Sequence, residues 1–589
     1  MKGWFKPHSI ALVAALFLSQ VALAGPKDVR DEADFLRGPA NPELNHILKA
    51  FELPKHIADV PPPPGEAPEP ENESDIHISD VPSPADVIGV LEESDSGFKP
   101  NVWRYLTEKE AITLFSKLPK TMPPGALRDG LYRLLFSKTI PPRSNEQNWT
   151  KVRAAALLQM GAVSTAAQLL TKLPESSLDL RMIPFYAYAM MLGGKQAEAC
   201  KAVQRLPQDM EPQYQRLQIF CGVVMGNGGK ADLALSLREE LGIPVPDWFT
   251  TVIEHIQTPT SQVSAPGGPL ELTDQAIFLY GTDGNAFRQY NADATPLDQN
   301  LQYHATIAAN NTLQAEDRLK FLESAARYDN RTHKALKDFY DFVVLPESHA
   351  AAKRIYAYQA LAKSKNVKMA LDNLGQAIAQ FDTPELLPLA NILLREPIQV
   401  ISLMLKDHKT TPAFAPKAFA ILLRNDDFKS TDLWLKLMDR YQPDGVYTYL
   451  SYEMQRFAKP AKVAYSPSEL MLPPLPHKGP LDDKERRALT RFYRLMDSMH
   501  YHVPDITLKA QQITLDAGQP QSNLAEMISA QSEKGNLPGV VLLALMAQGD
   551  KPLNYMDDAT AVVICEALQK AGGIALARRF VIDAVLAYF

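Results

Sequence analysis

Residues 161–174 (Gly-Ala-Val-Ser-Thr-Ala-Ala-Gln-Leu-Leu-Thr-Lys-Leu-Pro) align without a gap onto residues 194–207 (Gly-Lys-Gln-Ala-Glu-Ala-Cys-Lys-Ala-Val-Gln-Arg-Leu-Pro). The offset is 33 residues; Gly161 matches Gly194, Ala166 matches Ala199 and Pro174 matches Pro207. A third copy reads from Gly229 to Ala234, 35 residues beyond the second, and closes at Leu241-Gly242. Each copy follows an apolar run, at 154–160, 185–192 and 217–225. This period predicts helical hairpins, which cannot bury their apolar faces singly and must stack. Glycine suits the end of the first helix because it accepts left-handed backbone. The alanine five residues later lets the second helix approach the first closely, and proline then stops the second.

The same helical pattern organises most of the chain. Residues 101–257 carry the clear repeats, and 258–270 has the Thr, Ser, Pro and Gly composition of a linker. Residues 271–459 resume as divergent helical repeats whose turns lack the glycine, with hairpins expected at 354–381 and at 418–438 around Asn425-Asp426-Asp427. A Pro-rich loop spans 460–482, and 483–589 returns to helices, with Gly572 and Ala577 repeating the turn spacing. No run of alternating β-branched residues stands out, so the fold class expected is all-α.

The Gly-x-x-x-x-Ala turns at Gly161/Ala166, Gly194/Ala199, Gly229/Ala234 and Gly572/Ala577 resemble those of the tetratricopeptide-like superfamily. The resemblance covers roughly 103–245 and the last fifty residues; the proline falls early and the Trp-x-x-Leu-Gly opening is missing. It implies a right-handed α-solenoid of helical hairpins with an extended surface for a protein partner.

Residues 1–24 read as a secretory signal peptide: Lys2 and Lys6, an apolar run over 10–18, then Ala22-Leu23-Ala24. That run is too short to span a bilayer, and Gly25 rather than a lipid-accepting cysteine follows the expected cut. No later stretch reaches membrane-spanning length, so no integral membrane segment is expected after cleavage. Residues 25–100 form a Pro- and acid-rich arm. Leu44, Ile47, Leu48 and Phe51 recur in it at helical spacing, giving one short amphipathic helix. Residues 60–74, with four consecutive prolines and several glutamates, predict a disordered, extended spacer. The short helix is expected to dock on the chain's own body, with a partner as the alternative.

The chain has 589 residues and a net charge of -7, with no long basic run, which argues against a nucleic-acid partner. Its three cysteines are too few for a disulfide scaffold. Cys200 and Cys221, on adjacent expected helices, are read either as one bridge or as two small buried apolar residues, and Cys565 as core.

Catalytic signatures are sparse. Gly226-Asn-Gly-Gly-Lys230 lacks the leading glycine and the hydroxyl of a phosphate loop and reads as a helix turn. His500 and His502 lie two residues apart and lack a carboxylate partner, and residues 280–285 lack the alternating carboxylates a calcium loop needs. No catalytic, cofactor-binding or metal-binding residue is assigned, and no cofactor is expected. The candidate partner-binding residues are Leu44, Leu48 and Phe51 on the arm, and Leu470, Met471 and Leu472 in the Pro-rich loop. The function expected is an exported scaffold or binding protein acting in the bacterial periplasm through protein–protein interaction. The alternative is a cell-envelope hydrolase resembling lytic transglycosylases, whose catalytic Glu-Ser pair would be Glu175-Ser176, Glu323-Ser324 or Glu347-Ser348.

Overall fold

Asn148 opens the first clear hairpin: its side chain accepts from the backbone N–H of Thr150 and Lys151, capping the helix Trp149–Gln159. Every residue of that helix is buried. It ends at Gly161, which adopts φ 76° and lets two N–H groups fold back onto the last helical carbonyls: Gly161 to Leu158 (2.9 Å) and Ala162 to Leu157 (2.9 Å). The left-handed residue and the six-to-one bond make a Schellman turn, which satisfies carbonyls the helix itself leaves open. The second helix, Val163–Leu170, packs back on the first with Ala166 fully buried.

The same turn recurs. Gly194 (φ 75°) joins Ile183–Leu192 to Gln196–Val203, and Gly226 (φ 80°) joins Pro212–Val224 to Gly228–Glu240. In each, the residue after the glycine donates to the carbonyl five back: Lys195 to Met190 and Asn227 to Gly222, both 2.8 Å. The third turn therefore centres on Gly226 and not on Gly229, which the sequence alignment selects. Gly-x-x-x-x-Ala occurs twice there, at Gly226/Ala231 and Gly229/Ala234. Gly226 takes the turn because the preceding helix ends at Val224, and Ala231 is then the buried contact. Gly572 (φ 87°) forms the turn once more, with Ala577 buried. Asp426, His500 and Gln512 fill the left-handed position where glycine is missing. His500 is thus the stop residue of the helix Asp483–Ser498.

The structure is a computed structural model. It describes residues 42–51, 87–143, 148–174, 177–207, 210–259, 263–282, 287, 300–309, 313–405, 412–459, 471–477 and 479–589. These hold 28 α-helices and no strand, only isolated bridges such as Ile88 with Thr139, so the described chain is all-helical. The leader, the spacer at 60–74, Leu470 and the pair Glu175-Ser176 lie outside the described residues. Successive helices pack as hairpins through the middle of the chain too, including Ala352–Ala362 with Val367–Gln380 and Ala415–Arg424 with Phe428–Tyr441.

Residues far apart in sequence complete the helix ends. Ala162 cannot cap Val163–Leu170, so the buried Asp329 does, accepting from Ser164 N (3.2 Å) and Ser164 Oγ (2.6 Å). The last carbonyls of Ile183–Leu192 and Gly193 receive Tyr280 OH, Thr306 Oγ1 and an Arg331 N–H. Gly125 has no side chain with which to cap Ala126–Phe136; the Ala126 N–H donates instead to Asp583 Oδ2 at 2.6 Å. Asp583 lies on Ile574–Leu586, and both this helix and Leu537–Gln548 pack against Ala126–Phe136. Gly130 makes the approach close: a Cβ there would lie 2.8 Å from Leu576 Cδ1. Helices from the end of the chain thereby pack on Ala126–Phe136 near its start.

Candidate functional site

The two helices of the third hairpin are built like those before them, but their outer surface is not. In Gly228–Glu240 only Ala231 and Arg238 are buried, and Arg238 reaches back to donate to Gln215 Oε1 on Pro212–Val224. Spaced four apart on the open side stand Leu233, Leu237 and Leu241, with 70%, 51% and 65% of their surfaces exposed. Counted from the left-handed glycine, the positions of Leu233 and Leu237 are Gln168 and Lys172 in the first hairpin and Lys201 and Arg205 in the second. All four of those polar residues are exposed. The fold therefore gives these positions to solvent, and only the third hairpin makes them leucine. Val224 and Met225, just before the turn, and Ile243, just after the helix, are also exposed. The leucines put an apolar stripe where both preceding hairpins present polar residues to solvent. Lys230 and Glu240 stand at its two ends, both exposed, while Asp232 and Glu239 lie around the helix from it.

The same hairpin supplies one cysteine of the disulfide. Cys200 on Gln196–Val203 and Cys221 on Pro212–Val224 are bonded, with Cα atoms 5.0 Å apart, so the second hairpin is tied to the third. Cys565 is buried, and burial pushes its thiol up to about 12, which keeps it protonated and unreactive. Reducing the bridge is expected to lower the unfolding free energy by about 3 kcal/mol, the loop-closure value for a loop of roughly this length. Thermal melts with and without reductant measure it, and a Cys200→Ser/Cys221→Ser chain should match the reduced protein.

The arm residues are placed differently. Leu44, Leu48 and Phe51 are buried against the chain's own body. The Phe51 ring lies 5.6 Å from Phe185 and 5.2 Å from Tyr188, and Lys151 Nζ donates to the Phe51 carbonyl at 3.3 Å. A partner would have to displace that helix to reach them. In the Pro-rich loop Met471 is half exposed, while Leu472 is buried and its N–H donates to the His502 carbonyl at 3.1 Å. The run that follows is fastened to the body: Tyr449 OH donates to Pro473 O (2.9 Å), and Leu475 N–H donates to Thr507 Oγ1 (3.1 Å). Between this run and Asp505–Gln511 lies an open cleft of about 550 Å³, lined by Leu475, Pro480, Arg486, Ile506 and Thr507 among others.

Of the Glu-Ser pairs, Glu323 and Ser324 are engaged structurally. Glu323 Oε1 accepts from Tyr340 OH (2.5 Å) and from Arg354 (2.5 Å), which commits its carboxylate to an ion pair. Ser324 Oγ lies 2.7 Å from His304 Nδ1, and Glu347 and Ser348 are exposed in a loop. His500 and His502 are both exposed, and among the described residues no group of three or more His, Cys, Asp or Glu could hold a metal ion. Burial raises Tyr449 and Tyr340 far above the ordinary phenol range, so both act as neutral donors.

Aligning on Gly229 hides the leucine face, because it sets Ser236 and Glu240 opposite Lys201 and Arg205, polar against polar. The Gly226 register sets Leu233 and Leu237 at those positions and exposes the contrast at once. No helix among the described residues is long and apolar enough to cross a membrane. No protein-family model, no curated protein and no solved structure matches this chain.

Proposed function

We propose that this chain is an exported, tetratricopeptide-like helical-repeat protein that binds another protein in the bacterial periplasm. Its hairpins form a right-handed α-solenoid through the first three repeats, and the binding surface is the Leu233–Leu237–Leu241 stripe. One observation carries the reading: leucine occupies positions that are polar and exposed in both preceding hairpins. Large exposed apolar faces are unfavourable in water and persist where association removes them from it. The charged start and short apolar run of the leader support export. So does the Cys200–Cys221 bridge, since structural disulfides persist in oxidising compartments.

The test is a comparison of two purified chains as bait against the envelope fraction of the source cell. One is unaltered and the other carries Leu233→Lys and Leu237→Arg, the residue types of the second hairpin. The reading predicts a protein recovered by the first and lost by the second, with equal helix content in both. Equal recovery by the two chains would contradict it.

A further inference from the structure

We infer that the molecule covering the leucine face is a second copy of this chain, docked with its Gly228–Glu240 helix antiparallel to the first. The inference rests on the reading above that this face is a protein-binding surface, and it names the partner.

The charge pattern of the helix is what selects this occupant. Lys230 stands at one end of the stripe and Glu240 at the other, both exposed, with Leu233 and Leu237 between them. A two-fold axis passing beside residue 235 sets Leu233 of each copy against Leu237 of the other. The same operation brings each Lys230 beside the other copy's Glu240, so two opposite-charge pairs flank a cluster of four leucines. A parallel arrangement would set Lys230 against Lys230 and Glu240 against Glu240, which is repulsive. Two-fold contacts of this kind require a surface complementary to itself, with residue i meeting j and j meeting i.

Shape follows the same symmetry. Leu241 falls opposite Gly229 of the other copy, and the space a Cβ would occupy at Gly229 is empty to beyond 4 Å. The glycine thus leaves room for the exposed leucine. The exposed Ile243 at one end of the face reaches the neighbourhood of Met225 and Val224 at the other end of the second copy. Leucine meets leucine at the centre of the contact, and Lys230 meets Glu240 at either end. A contact built on one pair of short helices is at the small end of specific interfaces, so the dimer is a weak one, on the order of micromolar.

Sedimentation velocity on the purified, disulfide-bonded full chain at low salt tests this. Weight-average mass should rise toward twice the monomer between roughly 1 and 100 μM, the range in which a micromolar dimer assembles. Leu233→Lys with Leu237→Arg should weaken association by roughly tenfold or more, as expected for the central apolar contacts of an interface. Lys230→Glu alone and Glu240→Lys alone should each weaken it by roughly threefold, and the two together should restore it, because each swapped pair is again opposite in sign. All four positions are exposed, and melting curves confirm that each variant is folded. A chain that stays monomeric throughout, or a dimer that ignores the leucine substitutions, would overturn the inference. Failure of the double swap to restore association would overturn the antiparallel register. A monomeric chain whose leucine variant nevertheless loses an envelope protein would leave the binding reading standing with a different partner. A monomeric chain that loses nothing would sink both.

Discussion

Replacing Asp583 with alanine is expected to lower the unfolding free energy by about 3 kcal/mol, the lower end of the cost of removing one partner from a buried ion pair. Asp583 performs two tasks. It caps Ala126–Phe136 through the Ala126 N–H (2.6 Å), and its other oxygen lies 3.7 Å from Arg424 Nε on Ala415–Arg424. Alanine would leave that helix start without an acceptor and Arg424 without its counter-charge. Burial raises the Asp583 carboxyl above the ordinary range against the pull of Arg424, so its ionised form is itself costly in the folded state. Relief of that cost is why the loss falls at the low end. A carboxylate raised on folding contributes stability at low pH that fades as pH rises through its folded value. Asp583→Asn keeps the acceptor and removes the charge, and should cost about half as much. Hydrogen exchange gives the decisive reading. Protection should fall together in 126–136 and 574–586, while 212–224 keeps its own.

Arg153→Ala is expected to cost about 4 kcal/mol, since it strips donors from several buried acceptors and opens a cavity. Arg153 is fully buried, and burial pulls its guanidinium down to about 9, so it remains charged at neutral pH. Its fork donates to the carbonyls of Ser137 (2.9 Å), Leu135 (3.3 Å) and Ile88 (2.7 Å), and to Thr139 Oγ1 (3.3 Å). These bonds fasten the extended segment at 87–91 across 135–139. The backbones there run so close that a Cβ on Gly89 would sit 2.2 Å from the Ser137 carbonyl oxygen. Arg153→Lys keeps a charge but loses the planar fork, and should recover little of the stability. Urea midpoints measure the loss, and limited proteolysis near residue 90 should appear in both variants before global unfolding.

The helices and their glycine turns were readable because they depend on neighbours in sequence. Gly161 and Gly194 each follow an apolar run and precede a buried alanine, and local chemistry suffices to place them. The Gly226/Gly229 ambiguity shows the limit: both glycines satisfy the spacing, and only the end of the preceding helix at Val224 decides between them. That three-residue displacement hid the leucine face. Long-range caps were not readable at all. Nothing local to Asp329 or Asp583 says that it will close a helix more than a hundred residues away, because Ala162 and Gly125 are merely weak caps until a distant side chain arrives. The burial of Leu44, Leu48 and Phe51 was readable as an amphipathic helix, whereas its seat on Phe185 and Tyr188 was not.

The most direct measurement places a photoreactive side chain at position 237 in living cells and looks for covalent adducts after illumination. A discrete protein adduct is expected, and it should disappear when Leu233→Lys is added with the chain still folded. An illuminated chain that forms no adduct, or one whose adducts are indifferent to residue 233, would contradict it.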